Sequence, residues 1–103
     1  MLKKTKRRYL ALEIDTVDAV DFNEFADGIW SALVKLYGEQ GASRAGLTII
    51  HHSPSLAIIR VANAAIDMVR AALALTTKIG DKPVAIHVLA VSGTIKALRK
   101  KVG

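Results

Sequence analysis

Two stretches with helical spacing of apolar residues each lie between stretches with strand spacing, and this order constrains the fold more than any single motif. Arg8 to Ile14 alternates, with Leu10, Leu12 and Ile14 on one face and Tyr9, Ala11 and Glu13 on the other. Asp21-Phe-Asn-Glu24 has the form of a capping box, with Val20 and Phe25 as its hydrophobic staple. The helix that follows is predicted to bury Phe22, Phe25, Ile29, Leu33 and Leu36 and to end at Gly38. Residues 38–46 hold three glycines and read as a loop that carries Arg44. Leu47 to Ile50 and Leu56 to Val61 read as strands linked by His51-His-Ser-Pro-Ser55. Asn63 is placed to cap a second helix from Ala64 to about Lys78, inward at Ile66, Val69, Leu73 and Thr76 or Thr77. Gly80-Asp-Lys-Pro83 stops it, and Val84 to Val91 is a last strand.

Strand, helix, strand, strand, helix, strand is the split βαβ arrangement. The expected class is therefore α+β, ferredoxin-like with RRM-like topology, as a single domain over residues 1–103 with two helices on one face of an antiparallel sheet. The other sheet face keeps too many apolar residues to face water, among them Ala11, Leu56, Ile58, Ala85, Leu89 and Val91. A terminal helix, a partner protein or stacked bases must cover it. Tyr9 is the one aromatic candidate there, which counts against bases.

After Val91, Ser92-Gly93 leads into a short basic segment. Ser92 is expected to cap a helix in which Ile95, Leu98 and Val102 form one stripe and Lys96, Arg99 and Lys100 another. The net charge is +6, and its placement matters more than its size. Five of the fifteen Lys and Arg lie in residues 3–8 and four more in 96–101, without an acid in either stretch, whereas six of the nine acids fall between Glu13 and Asp27. Basic ends around a neutral-to-acidic body suit a polyanion, nucleic acid before acidic membrane. Solvated tails that keep the chain dissolved are the plainer reading of the same pattern.

Several function classes lose support. No stretch approaches the ~20 apolar residues of a membrane span, so no membrane association is expected. No signal peptide is expected, because the apolar run after the basic start stops at Glu13 and Asp15. Cysteine is absent, which removes disulfides and thiolate metal sites and fits a cytoplasmic location. His51 and His52 are neighbours in a hairpin, where adjacent side chains point to opposite sides, and His87 stands apart on the last strand, so no metal site is expected. The acids from Glu13 to Asp27 include two capping groups and lack a base of fitting geometry, and Ser92 lacks a His–Asp pair. An ordinary basic enzyme would need a concave polar pocket. Leu56-Ala-Ile-Ile-Arg-Val61 carries no ring, so stacking of single-stranded RNA on an open sheet is disfavoured. RNA recognition through phosphates remains open.

Lys6-Arg-Arg-Tyr-Leu-Ala11, Ile29-Trp30 followed by Gly38-Glu39-x-Gly41, Ile58-Ile-Arg60, and above all Val91-Ser-Gly-Thr-Ile-Lys96 with its basic continuation resemble the archaeal ribonuclease P protein component 2 family, related to the eukaryotic Pop5/Rpp14-type proteins. The resemblance spans about residues 6–102. It implies a non-catalytic protein subunit of the ribonucleoprotein that removes the 5′ leader from precursor tRNA, with the active site and its Mg2+ on the RNA and no cofactor in the protein. It also implies the RNase P RNA and the barrel-shaped protein component 3 as partners, the latter in a two-plus-two heterotetramer, with precursor tRNA met indirectly. RNA contacts are expected by similarity at Lys6, Arg7, Arg8, Ser92, Thr94, Lys96, Arg99 and Lys100, with Arg44 added as a loop cation. The alternative is a protein–protein adaptor or homodimer whose basic tails are incidental.

Overall fold

The computed structural model describes residues 6–102. Lys3 and Lys4, the start of the N-terminal basic run, lie outside the described residues. Strand β1 (Arg7–Asp15) is followed by helix α1 (Phe22–Arg44), strands β2 (Thr48–His52) and β3 (Leu56–Ala62), and a 3-10 turn (Asn63–Ala65). Then come helix α2 (Ile66–Leu75), the short strands β4 (Lys78–Ile79) and β5 (Lys82–Pro83), strand β6 (Ala85–Ser92) and helix α3 (Ile95–Val102). The main sheet has the order β2-β3-β1-β6 with every pair antiparallel, the ferredoxin-like arrangement expected from the element order.

One sheet face carries the main core. Leu10, Leu12 and Ile14 of β1, Ala57, Ile59 and Val61 of β3 and Ile86 of β6 meet Phe25, Ile29 and Leu33 of α1 and Val69, Ala72 and Leu73 of α2. The capping box forms as the spacing predicts: Asp21 Oδ1 accepts from the Glu24 backbone N–H at 2.8 Å, and Glu24 Oε1 accepts from the Asp21 N–H at 3.2 Å.

The opposite face carries a second, smaller core. Leu98 of α3 is fully enclosed on Ala11 and Ile58, with Tyr9 and Ala90 packed at its edge. The chain's own terminal helix therefore covers the centre of that apolar face. Leu89 stays exposed and Leu56 half-buried.

Local departures from the sequence reading have identifiable causes. Gly38 does interrupt α1, at φ 73 and ψ 174, but helix resumes and runs on to Arg44 because Ala42 and Ala45 are buried against the core. Arg44 is thus on a helical turn and not in a loop. Phe22 and Leu36 stand exposed beside the Phe25–Ile29–Leu33 stripe. Strand β2 takes in both histidines, and His52 turns inward against the Phe25 ring at 5.2 Å. The hairpin link shrinks to Ser53–Ser55, closed by the Ser53 N–H donating to the Leu56 carbonyl at 2.8 Å. Asn63 does not cap α2 with its side chain; its N–H donates to the Lys6 carbonyl instead, and α2 begins only after the 3-10 turn. At the other end α2 stops at Leu75, where the Thr76 hydroxyl donates to the Ala72 carbonyl. Residues 78–83 then form a two-rung hairpin about Gly80 and Asp81, with Gly80 at φ 64, and Ile79 is buried in the core. Finally, β6 carries a bulge at Leu89, between Val88 opposite Leu12 and Ala90 opposite Ala11. One extra residue reverses the alternation, so Val91 faces the main core and Ala90 faces α3.

Candidate nucleic-acid interface

Strand β1 begins with Arg7 and Arg8 and ends with Glu13 and Asp15, about 26 Å away at ~3.3 Å per residue. The antiparallel sheet brings further cations to the Arg7 end. Lys6 is exposed and held beside the end of β3, its carbonyl accepting from Asn63 at 2.8 Å. Arg7 is exposed opposite Ala62. Arg44 is exposed on the last turn of α1, next to Ala45, whose carbonyl accepts from Ala62 at 2.9 Å. Arg8 is half-buried, and its Nη1 bonds the Arg7 carbonyl at 3.2 Å and runs alongside Gly93, where an added Cβ would lie 3.6 Å from it.

Ser92, Gly93 and Thr94 connect this sheet end to α3. Ser92 is buried and its hydroxyl sits 3.5 Å from the Thr94 N–H, too long for a strong bond. The capping group is Thr94, whose Oγ1 accepts from the Ala97 N–H at 3.1 Å and whose carbonyl accepts from Leu98. The cap predicted at Ser92 thus moves two residues on, because Ser92 is still in the β6 ladder opposite Tyr9.

On α3, Leu98 faces inward while Lys96, Arg99 and Lys100 are exposed. Ile95 is half-buried and Val102 is 37% exposed at the rim of the helix, so the predicted apolar stripe reduces to Leu98 with partial help from Ile95. Lys101 Nζ donates to the Val91 carbonyl at 2.8 Å, which ties α3 to the β6 edge. Arg99 borders a cleft of about 460 Å3 with Leu98, Val102, His51, Leu56 and Ile58. The predicted residues therefore form two groups, one at the sheet end and one along α3, joined through Gly93 and Thr94.

Arg60 was not among the sequence candidates, although it is the single charge within an otherwise apolar strand, and that was the available signal. It pairs with Tyr9 on one side and Thr48 on the other, on the α3 side of the sheet. Its Nε is buried and has no hydrogen-bond partner.

Among the described residues the one ion pair is Lys82 with Glu24, at 2.9 Å, far from this end. The hydrogen bond that Lys82 donates to Glu24 raises the Lys82 pKa above its ordinary value; desolvation opposes this, and the charges of Glu24, Asp21 and Asp18 add to it. Among the described residues Lys6, Arg7, Arg8 and Arg44 make no ion pair, although Glu39 borders a small cleft with Arg44. Such unpaired cations, beside a half-apolar sheet, suit an anionic macromolecule.

Among the described residues no three or more His, Cys, Asp or Glu side chains come together in a way that could hold a metal ion. Glu24, which borders a cleft of about 600 Å3 with Asp27, Ser31 and Lys35, is already engaged by Asp21 and Lys82. No helix among the described residues is long and apolar enough to cross a membrane.

A family model for the Rpp14/Pop5 family matches residues 8–103. The chain belongs to the Rpp14/Pop5 family. Within it the chain is a homologue of the archaeal proteins called ribonuclease P protein component 2. It is 36% identical to the one from Pyrococcus abyssi over 100 residues, covering 95% of this chain and 85% of the relative. To the one from Methanococcus maripaludis strain C7 it is 30% identical over 98 residues, covering 95% and 75%. A chain in a cryo-EM structure of yeast ribonuclease MRP superposes with a TM-score of 0.73 at 21% identity, covering 99% of this chain and 92% of the other, a likeness of fold. The Rpp14/Pop5 match takes in both the sheet end and α3, apart from Lys6 and Arg7.

Proposed function

We propose that this Rpp14/Pop5 chain is a non-catalytic protein subunit of ribonuclease P, which binds the catalytic RNA and supports removal of the 5′ leader from precursor tRNA. The observation that carries the proposal is the basic surface running from Lys6, Arg7, Arg8 and Arg44 through Thr94 to Lys96, Arg99 and Lys100, in a chain whose relatives are ribonuclease P proteins. Each phosphate docked on such a surface releases condensed counterions, so binding is steeply salt-dependent. The chemistry belongs to the RNA in this reading, and so do the magnesium ions. The cytoplasm is the proposed location.

The proposed protein partner is the component 3 subunit, in a two-plus-two assembly. A protein contact is supported by Phe22 and Trp30, about half exposed, which border a cleft of about 510 Å3 with Leu33, Leu47 and Ile49. The same apolar surface favours the second reading, an adaptor or homodimer with incidental basic tails.

Reconstitution decides between them. Leaving this chain out of a mixture of ribonuclease P RNA and the remaining subunits should lower precursor tRNA cleavage. Changing Lys96, Arg99 and Lys100 together to Ala should preserve the fold, weaken RNA binding and lower the slope of log affinity against log salt by up to about three. Cleavage that is independent of the chain, together with salt-insensitive binding to protein alone, would favour the adaptor.

A further inference from the structure

The registers of the main sheet place Thr48, Arg60, Tyr9 and Ser92 in one row, one residue from each strand, on the face that α3 partly covers. At ~4.8 Å between strands the row spans about 14 Å. Along β1 it is bounded on one side by Ala11, under Leu98, and on the other by Arg7. Ser92 is enclosed, but Thr48 is exposed and Tyr9 and Arg60 are half-buried. The row is thus an open shelf between α3 and the basic sheet end.

Arg60 is an expensive residue in this position. It is half-buried, its Nε is enclosed without a partner, and among the described residues its guanidinium makes no ion pair. A partly desolvated cation with an unmet donor is offset by an anion that neutralises its charge and supplies oxygen acceptors to the guanidinium. A guanidinium takes a phosphate through two parallel N–H donors, and the hydroxyls of Thr48 and Tyr9 on either side add donors of the kind that meet phosphate and ribose oxygens.

We infer that Thr48, Arg60 and Tyr9 form a phosphodiester-binding shelf for the RNA backbone, with the strand crossing the sheet perpendicular to β1. The inference rests on the ribonuclease P reading above. An RNA backbone is favoured over an acidic protein segment because the same face continues along β1 into Arg7, with Lys6 and Arg8 at the same sheet end, a cluster of cations that can meet several phosphates. A single half-buried ring, packed at the edge of the Leu98 cluster, serves as a wall and a hydroxyl donor, not as a stacking platform.

The test uses the full chain and in vitro transcribed ribonuclease P RNA, titrated at several salt concentrations, with and without component 3. Arg60→Gln should weaken binding about tenfold and lower the salt slope by about one, because one charge-assisted phosphate contact is lost. The double variant Tyr9→Phe, Thr48→Val keeps charge and shape, and should weaken binding severalfold at unchanged slope. An Arg60→Gln chain that folds and keeps wild-type affinity and slope overturns the shelf, while the Lys96, Arg99 and Lys100 variant still reports on the parent reading. Unchanged RNA binding with weakened capture of component 3 also overturns it, and assigns the shelf to a protein. If Arg60→Gln does not fold, the hydroxyl variant decides alone, and unchanged affinity refutes the inference. A wild-type chain with no salt-dependent RNA binding overturns both readings.

Discussion

Leu98→Ala tests how α3 is held. Leu98 is the fully buried side chain of that helix, and it sits on Ala11 and Ile58, themselves 0% and 7% exposed. Removing most of a buried leucine costs ~2–5 kcal/mol, and the cost is lowest where the surroundings can relax or water can enter. Here the cleft bordered by Leu98, Arg99 and Val102 opens onto the same place, so a cost of about 2–3 kcal/mol is expected. For a chain of this size that lowers Tm by roughly 10–20 °C. Urea or thermal unfolding followed by circular dichroism measures it, and hydrogen exchange should show the amides of Ala97 and Leu98 opening first. The RNA titration of the same variant, below its Tm, should keep its salt slope, because no cation is removed. The alanine variant at Lys96, Arg99 and Lys100 should do the reverse, keeping stability and losing slope. A Leu98→Ala chain within about 0.5 kcal/mol of wild type would refute the docking of α3 on the second sheet face.

Gly38→Ala should destabilise the chain by about 1–3 kcal/mol, because φ 73 with ψ 174 is a backbone region that side chains other than glycine avoid. An added Cβ there meets nothing within 4 Å, so the loss is conformational; equal or higher stability in urea would show that α1 can straighten without cost. Lys82→Met should lower stability at neutral pH. Glu24 raises the Lys82 pKa on folding, so the contribution of the pair is present below the ordinary lysine pKa and is lost as pH rises through the raised value. Melting curves from neutral to strongly alkaline pH should converge for the two chains, and a difference independent of pH would remove the ion pair from the account.

Period and composition were enough for the element order, the capping box at Asp21 and Glu24, the inward faces of β1 and β3, and the basic character of α3. These are local properties: a strand repeats every two residues, a helix every 3.6, and a cap needs only its own first turn. The family resemblance was also legible, because Ser92-Gly-Thr-Ile-Lys96 and its basic continuation are contiguous in the chain. Other features were decided by contacts between distant segments. The bulge at Leu89 depends on how β6 meets β1, and it alone determines that Val91 joins the main core. Helix beyond Gly38 survives because Ala42 and Ala45 find the core, which no local propensity could announce. Arg60 reads in sequence as one charge in an apolar strand; only strand pairing sets it between Tyr9 and Thr48, because hydrogen-bond register is a relation between strands and is written in neither one alone.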